Sequence, residues 1–244
     1  MAYQAVFKRY EKKYLLTLEQ KEELLEVMAN HMERDEYGQS TIRNIYYDTD
    51  NYLLIRRSLE KPDYKEKLRI RSYKKATPDT EAFVEIKKKF EKVVYKRRIS
   101  LPEKKAIDWV EGSAGCGKEC QITNEISYFL KHYPNLKPAV FLTYDREAYR
   151  DRERKDFRVT FDTNILARTT HISLEEDPWG KPLLPEGMVL MELKCAGGYP
   201  MWMVRFLSEK HLYKTSFSKY GTAYRTMIYP ELKQAHKEKS AVNH

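Results

Sequence analysis

Between Lys67 and Arg71 the chain reads Lys-Leu-Arg-Ile-Arg, cationic at every odd position and apolar at every even one. Successive side chains of a strand point to opposite faces, so the segment reads as a β-strand with one wholly cationic face and one apolar face. The alternation recurs in Val84-Glu-Ile-Lys87, where Glu85 and Lys87 share a face. It recurs at Lys96 and Arg98, at Arg9, Glu11 and Lys13, and at Glu192 and Lys194. Strand faces turned to water usually mix signs, because adjacent like charges repel. If these five strands line one cavity, the repulsion is severe: two like charges ~4 Å apart cost ~4 kcal/mol at an effective dielectric of ~20. Such a wall calls for a bound anion. A phosphate chain supplies one charge or more per unit, and Arg binds its oxygens through a planar fork.

The other segments complete an α+β pattern. Strands are expected over 5–16, 41–48, 64–74, 81–89, 92–101, 139–149, 157–167 and 188–195, each rich in β-branched or aromatic residues or alternating in period two. Leu24, Leu25, Met28 and Met32 fall at helical spacing, which predicts a helix over 18–34. A short helix or turn is expected over 51–59, and helices over 102–111, 121–133 and 200–211. Ser218 is placed to cap a last helix, and the polar tail after Pro230 is expected to fray. No repeat or Pro/Gly/Ser linker divides residues 1–244, which read as one domain.

Composition narrows the partners. The formal net charge is +9 with 33% charged residues, which suits an anionic partner. The three cysteines, Cys116, Cys120 and Cys195, offer neither a disulfide framework nor a zinc pattern and suit reduced cytosolic thiols. No apolar run approaches the ~20 residues of a membrane span, and the N-terminus lacks a signal-peptide core, so a cytoplasmic protein is expected. Single-stranded nucleic acid is disfavoured, since base stacking needs aromatics on the cationic face. Tyr10 and Tyr14 lie on the opposite parity from Glu11 and Lys13.

Taken in order, the motifs resemble a known family. They are Arg9-x-Glu-x-Lys13-Tyr, Ile45-Tyr-Tyr-Asp48, Lys67-Leu-Arg-Ile-Arg71, Val84-Glu-Ile-Lys87, Lys96-Arg-Arg98, Tyr144-Asp-Arg146, Arg158-Val-Thr-Phe-Asp162, Glu192-Leu-Lys194 and Ser218-Lys-Tyr220. From about Phe7 to Thr226 the chain is similar to the catalytic domain of vacuolar transporter chaperone (VTC) polyphosphate polymerases, which are triphosphate tunnel metalloenzymes. The resemblance implies a closed antiparallel β-barrel, a tunnel of about eight strands with helices outside. It implies that Lys13, Arg69, Arg71, Lys87, Lys96, Arg98, Arg146, Arg158, Lys194 and Lys219 contact phosphate. It gives Glu192 the role of holding a divalent metal, Mn2+ or Mg2+, with Glu11 and Glu85 able to assist; carboxylate oxygens suit such hard ions. The implied activity is metal-dependent transfer of the ATP γ-phosphate to inorganic polyphosphate, with Arg69, Arg71, Lys87, Arg146 and Glu192 at the reacting centre. A triphosphatase or a non-catalytic polyphosphate binder would use the same residues. The chain shows no phosphate-sensing domain before the motifs and no membrane spans after them, so polymer export is not expected.

The Gly112–Lys118 segment approaches a phosphate-binding P-loop, but Glu119 stands where Ser or Thr would hold magnesium. No parallel βαβ pattern surrounds it, and a helix-connecting loop is expected there. The six His stand apart from any nucleophile motif.

Overall fold

The computed structural model describes residues 10–91 and 93–242. Strand β1 (Tyr10–Thr17) leads into helix α1 (Leu18–Met28), whose start is fixed by a capping box between Thr17 and Gln20. Strand β2 (Met32–Asp48) is followed by the short helix α2 (Leu53–Leu59). Three strands succeed it: β3 (Tyr64–Ser72), β4 (Glu81–Phe90) and β5 (Val93–Pro102). Helices α3 (Glu103–Val110) and α4 (Gln121–His132) then lead to β6 (Lys137–Asp151) and β7 (Arg158–Arg168). A two-residue strand β8 (Lys181–Pro182), β9 (Met188–Cys195) and α5 (Met201–Glu209) come next. The chain ends in α6 (Lys219–Ala223), a π-helical turn (Tyr224–Ile228) and α7 (Tyr229–Val242).

One antiparallel sheet runs in the order β1-β9-β7-β6-β2-β3-β4-β5, with β8 beside β7. Three apolar clusters hold the helices to it. Helices α3 and α4 bury Trp109, Ile126 and Phe129 against Leu68, Val84 and Ile86. Helices α1 and α5 bury Leu24, Met28, Met203 and Phe206 against Leu16, Phe161, Met191 and Leu193. Helix α6 and the turn after it pack Tyr220, Ala223 and Ile228 against Ile42, Tyr46, Leu142 and Tyr144.

The antiparallel sheet with helices packed on it is as expected, but its closure into a barrel is not seen: among the described residues no ladder joins β1 to β5. The free edge of β1 is taken by the segment before α6 instead: Lys13 and Thr215 form a bridge, and the Thr215 amide donates to the Lys13 carbonyl at 2.7 Å. Across the seam, Lys87 on β4 reaches Glu11 on β1 at 3.5 Å.

Two further expectations differ. The helix expected to reach residue 34 stops at Met28, and β2 begins at Met32. Met32 sits in the same core cluster as Leu24 and Met28, so its burial satisfies the helical period from a strand. The pairing of β2 with β6 shifts between Arg34 and Gln39, which lets one strand span seventeen residues. Where fraying is expected after Pro230, helix α7 continues to Val242. Phe7 and Arg9, placed on the first strand by the sequence, lie outside the described residues. The glycine-rich Gly112–Lys118 segment connects α3 to α4, as expected.

Candidate phosphate-binding site

The ladder registers bring the charged parity of β1, β3, β4, β5, β6, β7 and β9 to one face of the sheet. Lys13 stands opposite Glu192, and Glu11 opposite Lys194. Glu192 stands opposite Thr160, and Arg158 opposite Lys194. Arg146 stands opposite Asp162. On the other wall Arg69 faces Glu85, Lys67 faces Lys87, Glu85 faces Arg98 and Lys87 faces Lys96. Helix α6 adds Lys219 from its first residue, positioned by the Ser218 cap. The Tyr220 hydroxyl donates to Asp48 at 2.9 Å. Asp48 in turn accepts from the backbone N–H groups of Thr49, Leu54 and Ile55, which ties α6 to α2 and to the end of β2.

The carboxylates on this face are fully engaged. Asp162 takes a two-pronged contact from Arg146, at 2.6 and 2.7 Å, and a further one from Lys219. Glu192 touches Arg146 at 3.1 Å, Lys13 and Lys194 at 3.3 Å and Lys219 at 3.5 Å. Burial opposes ionisation of both, but the surrounding cations win and hold them below the usual carboxylate range. Glu85 binds Arg69 at 2.6 Å and Lys96 at 2.7 Å, with Arg98 at 4.0 Å. It too is held low against burial, by Arg69, Arg71 and Lys96. Glu11 touches Lys13 at 3.6 Å, and although burial opposes ionisation, Lys87 leads the cations that lower it to about 2.

Cations still outnumber anions. Ten Lys and Arg on or over this face meet four carboxylates, leaving six positive charges in excess. Two of the ten form no ion pair among the described residues. Arg71 is oriented by neutral groups, the Asn44 side-chain oxygen at 2.9 Å and the Tyr144 hydroxyl at 3.1 Å. The Lys67 ammonium donates to the Ser218 hydroxyl at 3.4 Å and lies 5.9 Å from the centroid of the Tyr220 ring. Burial, with Lys65, Lys87 and Lys13 nearby, pushes Lys67 down to about 8. Lys96 is also lowered to about 8, first by burial and then by Arg69 and Arg71, despite Glu85.

Nine of the ten sequence-named cations thus converge around one trough. Arg158 stands at the end of the row, where its guanidinium turns to Asp35 at 2.7 Å. From the sequence, Lys67 falls on the cationic face but outside the expected phosphate contacts, and Asp162, Asn44, Tyr46 and Tyr144 carry no site role. Parity would have found Asp162, in phase with Arg158. The aromatic expectation needs correction, because Tyr46, Tyr144 and Phe83 do share the cationic face. The Tyr46 hydroxyl accepts from Arg69 at 2.9 Å, and Arg98 lies 3.5 Å over the Phe83 ring. Tyr46 and Tyr144 are buried, so they brace arginines rather than offer stacking platforms.

The metal set also changes. Among the described residues no three His, Cys, Asp or Glu are grouped to hold an ion. Glu85 stands on the wall opposite Glu192, committed to Arg69 and Lys96, so the two do not form one site. Glu192 instead shares Lys13 with Glu11, and shares Arg146 and Lys219 with Asp162. Such a donor set fits a hard ion that takes one or two carboxylates and completes its shell with phosphate oxygens and water.

A family model described as the VTC domain matches residues 8–228. No curated protein matches the chain. Among solved structures, a Bacillus halodurans protein provisionally assigned as an adenylate cyclase aligns with a TM-score of 0.56 at 14% identity, covering 92% of this chain and all of its own. HpAC1 from Hippeastrum, provisionally assigned as an adenylyl cyclase and described as having a dominant triphosphatase activity, aligns with a TM-score of 0.51 at 14% identity, covering 88% and 94%. At that identity the likeness is one of fold. Among the described residues no helix is long and apolar enough to cross a membrane.

Proposed function

The chain belongs to the VTC domain family, and from that premise we propose that it is a phosphotransferase that moves the γ-phosphate of ATP onto inorganic polyphosphate within the cationic trough. The observation that carries this reading is the pair Lys67 and Arg71. Both point into the trough, and neither has a carboxylate partner among the described residues. An anion of several charges would offset the charge that these two residues leave uncompensated.

Phosphoryl transfer asks a protein for positioning and charge neutralisation more than for covalent chemistry. Arg69 is held by Glu85 and Tyr46, and Arg146 by Asp162 and Glu192, so both guanidiniums are oriented before substrate arrives. Arg69, Arg71, Lys67 and Lys87 line one wall for the phosphates, and Arg146, Lys13, Lys194 and Lys219 line the facing wall. The terminal phosphate oxygen of the acceptor attacks the γ-phosphorus in line, the bond to the β-bridging oxygen breaks, and ADP leaves with that electron pair. Arginines on both walls neutralise the charge spread over the transferring group. Glu192, with Glu11 or Asp162, would hold a Mn2+ or Mg2+ ion, which would supply further neutralisation of phosphate charge.

The open seam between β1 and β5 favours a second reading, a triphosphatase in which water attacks the same phosphorus. Lys87 and Lys96 beside that seam have side chains 45% and 41% exposed, so solvent reaches the wall there. Pure protein incubated with ATP and manganese distinguishes the readings. Polymer that lengthens with time supports the transferase, and free phosphate without polymer supports the triphosphatase. Tight polyphosphate binding with neither product overturns both and leaves a binder.

A further inference from the structure

Outside the trough, on the opposite face of the sheet, the molecule carries a second cavity of about 340 Å3. Its walls come from α3, from β2 and β6, and from the loop before β8. Ile45, Ile107, Ile172, Pro78 and Pro138 make it apolar, and Glu103, Asp108, Glu111 and Glu175 place four carboxylates around it. In a chain of net charge +9 this is a local reversal of sign. Lys104, the sole cation of the lining, pairs with Asp108 at 3.4 Å. Glu111 accepts from the Tyr47 hydroxyl at 3.0 Å.

Glu103 is different. It is 93% buried, being 7% exposed, and among the described residues no hydrogen bond or ion pair reaches its carboxylate. Its oxygens open onto the cavity, so a cation entering there would meet an unpaired carboxylate. Burial first, then Glu175 and Asp108, raise Glu103 to about 7.

We propose that this cavity binds a small organic polycation, an alkyl di- or polyamine whose ammonium groups meet Glu103 and Glu175 and whose methylenes lie on the isoleucine and proline wall. A bare metal ion fits less well, because among the described residues no three of the carboxylates are grouped for one. The volume is that of a small-molecule pocket, and the mix of apolar wall with few polar groups suits an alkylammonium. Binding would draw a proton off Glu103, against Asp108, Glu111 and Glu175 on the acidic side and Lys104 on the basic side.

The test is titration calorimetry of the whole protein with spermidine and with putrescine, free of nucleotide and polyphosphate, in low salt near pH 7. Saturable binding with one amine per chain is expected, with proton release seen as a dependence of the heat on the buffer. Glu103→Gln should weaken it at least tenfold. Glu175→Gln, at an exposed position where folding is not at stake, should weaken it severalfold and leave tripolyphosphate binding unchanged. No saturable amine binding to the wild type overturns the proposal. So does equal binding by both variants, or Glu103-dependent binding of Mn2+ with none of either amine.

Discussion

Replacing Lys67 by Met removes one of the two unpaired cations of the trough while keeping the volume of its stem. In the empty protein the Lys67 ammonium is lowered from an ordinary 10.5 to about 8, by burial and then by its lysine neighbours, against an opposing pull from Tyr46. A displacement of that size corresponds to about 3 kcal/mol. Lys67 is half-buried, so solvent screening reduces the cost to roughly 1–2 kcal/mol. The sign follows from linkage. The unfolded chain holds this proton up to its higher pKa and the folded chain gives it up near 8, so the penalty is full below pH 8 and fades between about pH 8 and 10.5. Lys67→Met should therefore raise the stability of the empty protein at pH 7 by roughly 1–2 kcal/mol, about 2–6 °C in Tm. Its gain over wild type should shrink as pH rises through that window, while Lys96, also near 8, keeps part of the slope in both proteins. Triphosphate binding should move the other way. Losing one buried, charge-assisted contact costs about 2 kcal/mol, close to a 30-fold rise in Kd for tripolyphosphate. Calorimetry of the wild type at pH 8 should show proton uptake on binding, smaller in the variant, because the bound anion restores the Lys67 proton. A variant no more stable than wild type, with unchanged affinity and proton uptake, would refute this account of the wall.

Other perturbations separate scaffold from site. Glu192→Gln leaves four cations around a neutral group and should destabilise by about 3–5 kcal/mol, read from urea unfolding. Because the Glu192 pKa is held well below its ordinary 4.5, the wild-type contribution is present above that value and is lost as pH falls, whereas the Gln variant lacks this acid-side loss. Arg69→Ala should reduce turnover at least a hundredfold with the fold intact by circular dichroism; wild-type rates would remove Arg69 from the reacting centre. Tyr220→Phe deletes the hydroxyl donated to buried Asp48 and should cost about 1–3 kcal/mol of stability with little change in tripolyphosphate affinity.

Parity made the cationic face legible, because alternation along a strand is a local property. Lys67, Arg69 and Arg71 share a face whatever the rest of the chain does. The partners that neutralise them were not legible in the same way. Glu85 and Asp162 reach Arg69 and Arg146 through ladder register, sixteen residues away in each case. Closure was least legible of all. It depends on whether the edges of β1 and β5 meet, and the segment carrying Thr215 reaches β1 first. The end of α1 was obscured because Met32 is buried in the same cluster whether it continues a helix or begins a strand.

The uneven pairing along the wall explains how one face can be both stable and reactive. Arg146 and Arg69 are each locked onto a carboxylate that would be costly to bury alone, and so they define the shape of the trough. Lys67 and Arg71 have no carboxylate partner among the described residues, and they keep the field that draws in an anion. If every cation were paired, a phosphate chain would have to displace carboxylates to bind. If none were, the sheet would have to carry ten like charges of one face against one another. Three carboxylates, Glu85, Asp162 and Glu192, absorb most of the repulsion, and the excess is concentrated where phosphates are proposed to lie. Substitutions at Lys67 and Glu192 should therefore move stability in opposite directions, up when an unpaired cation is removed and down when a shared carboxylate is.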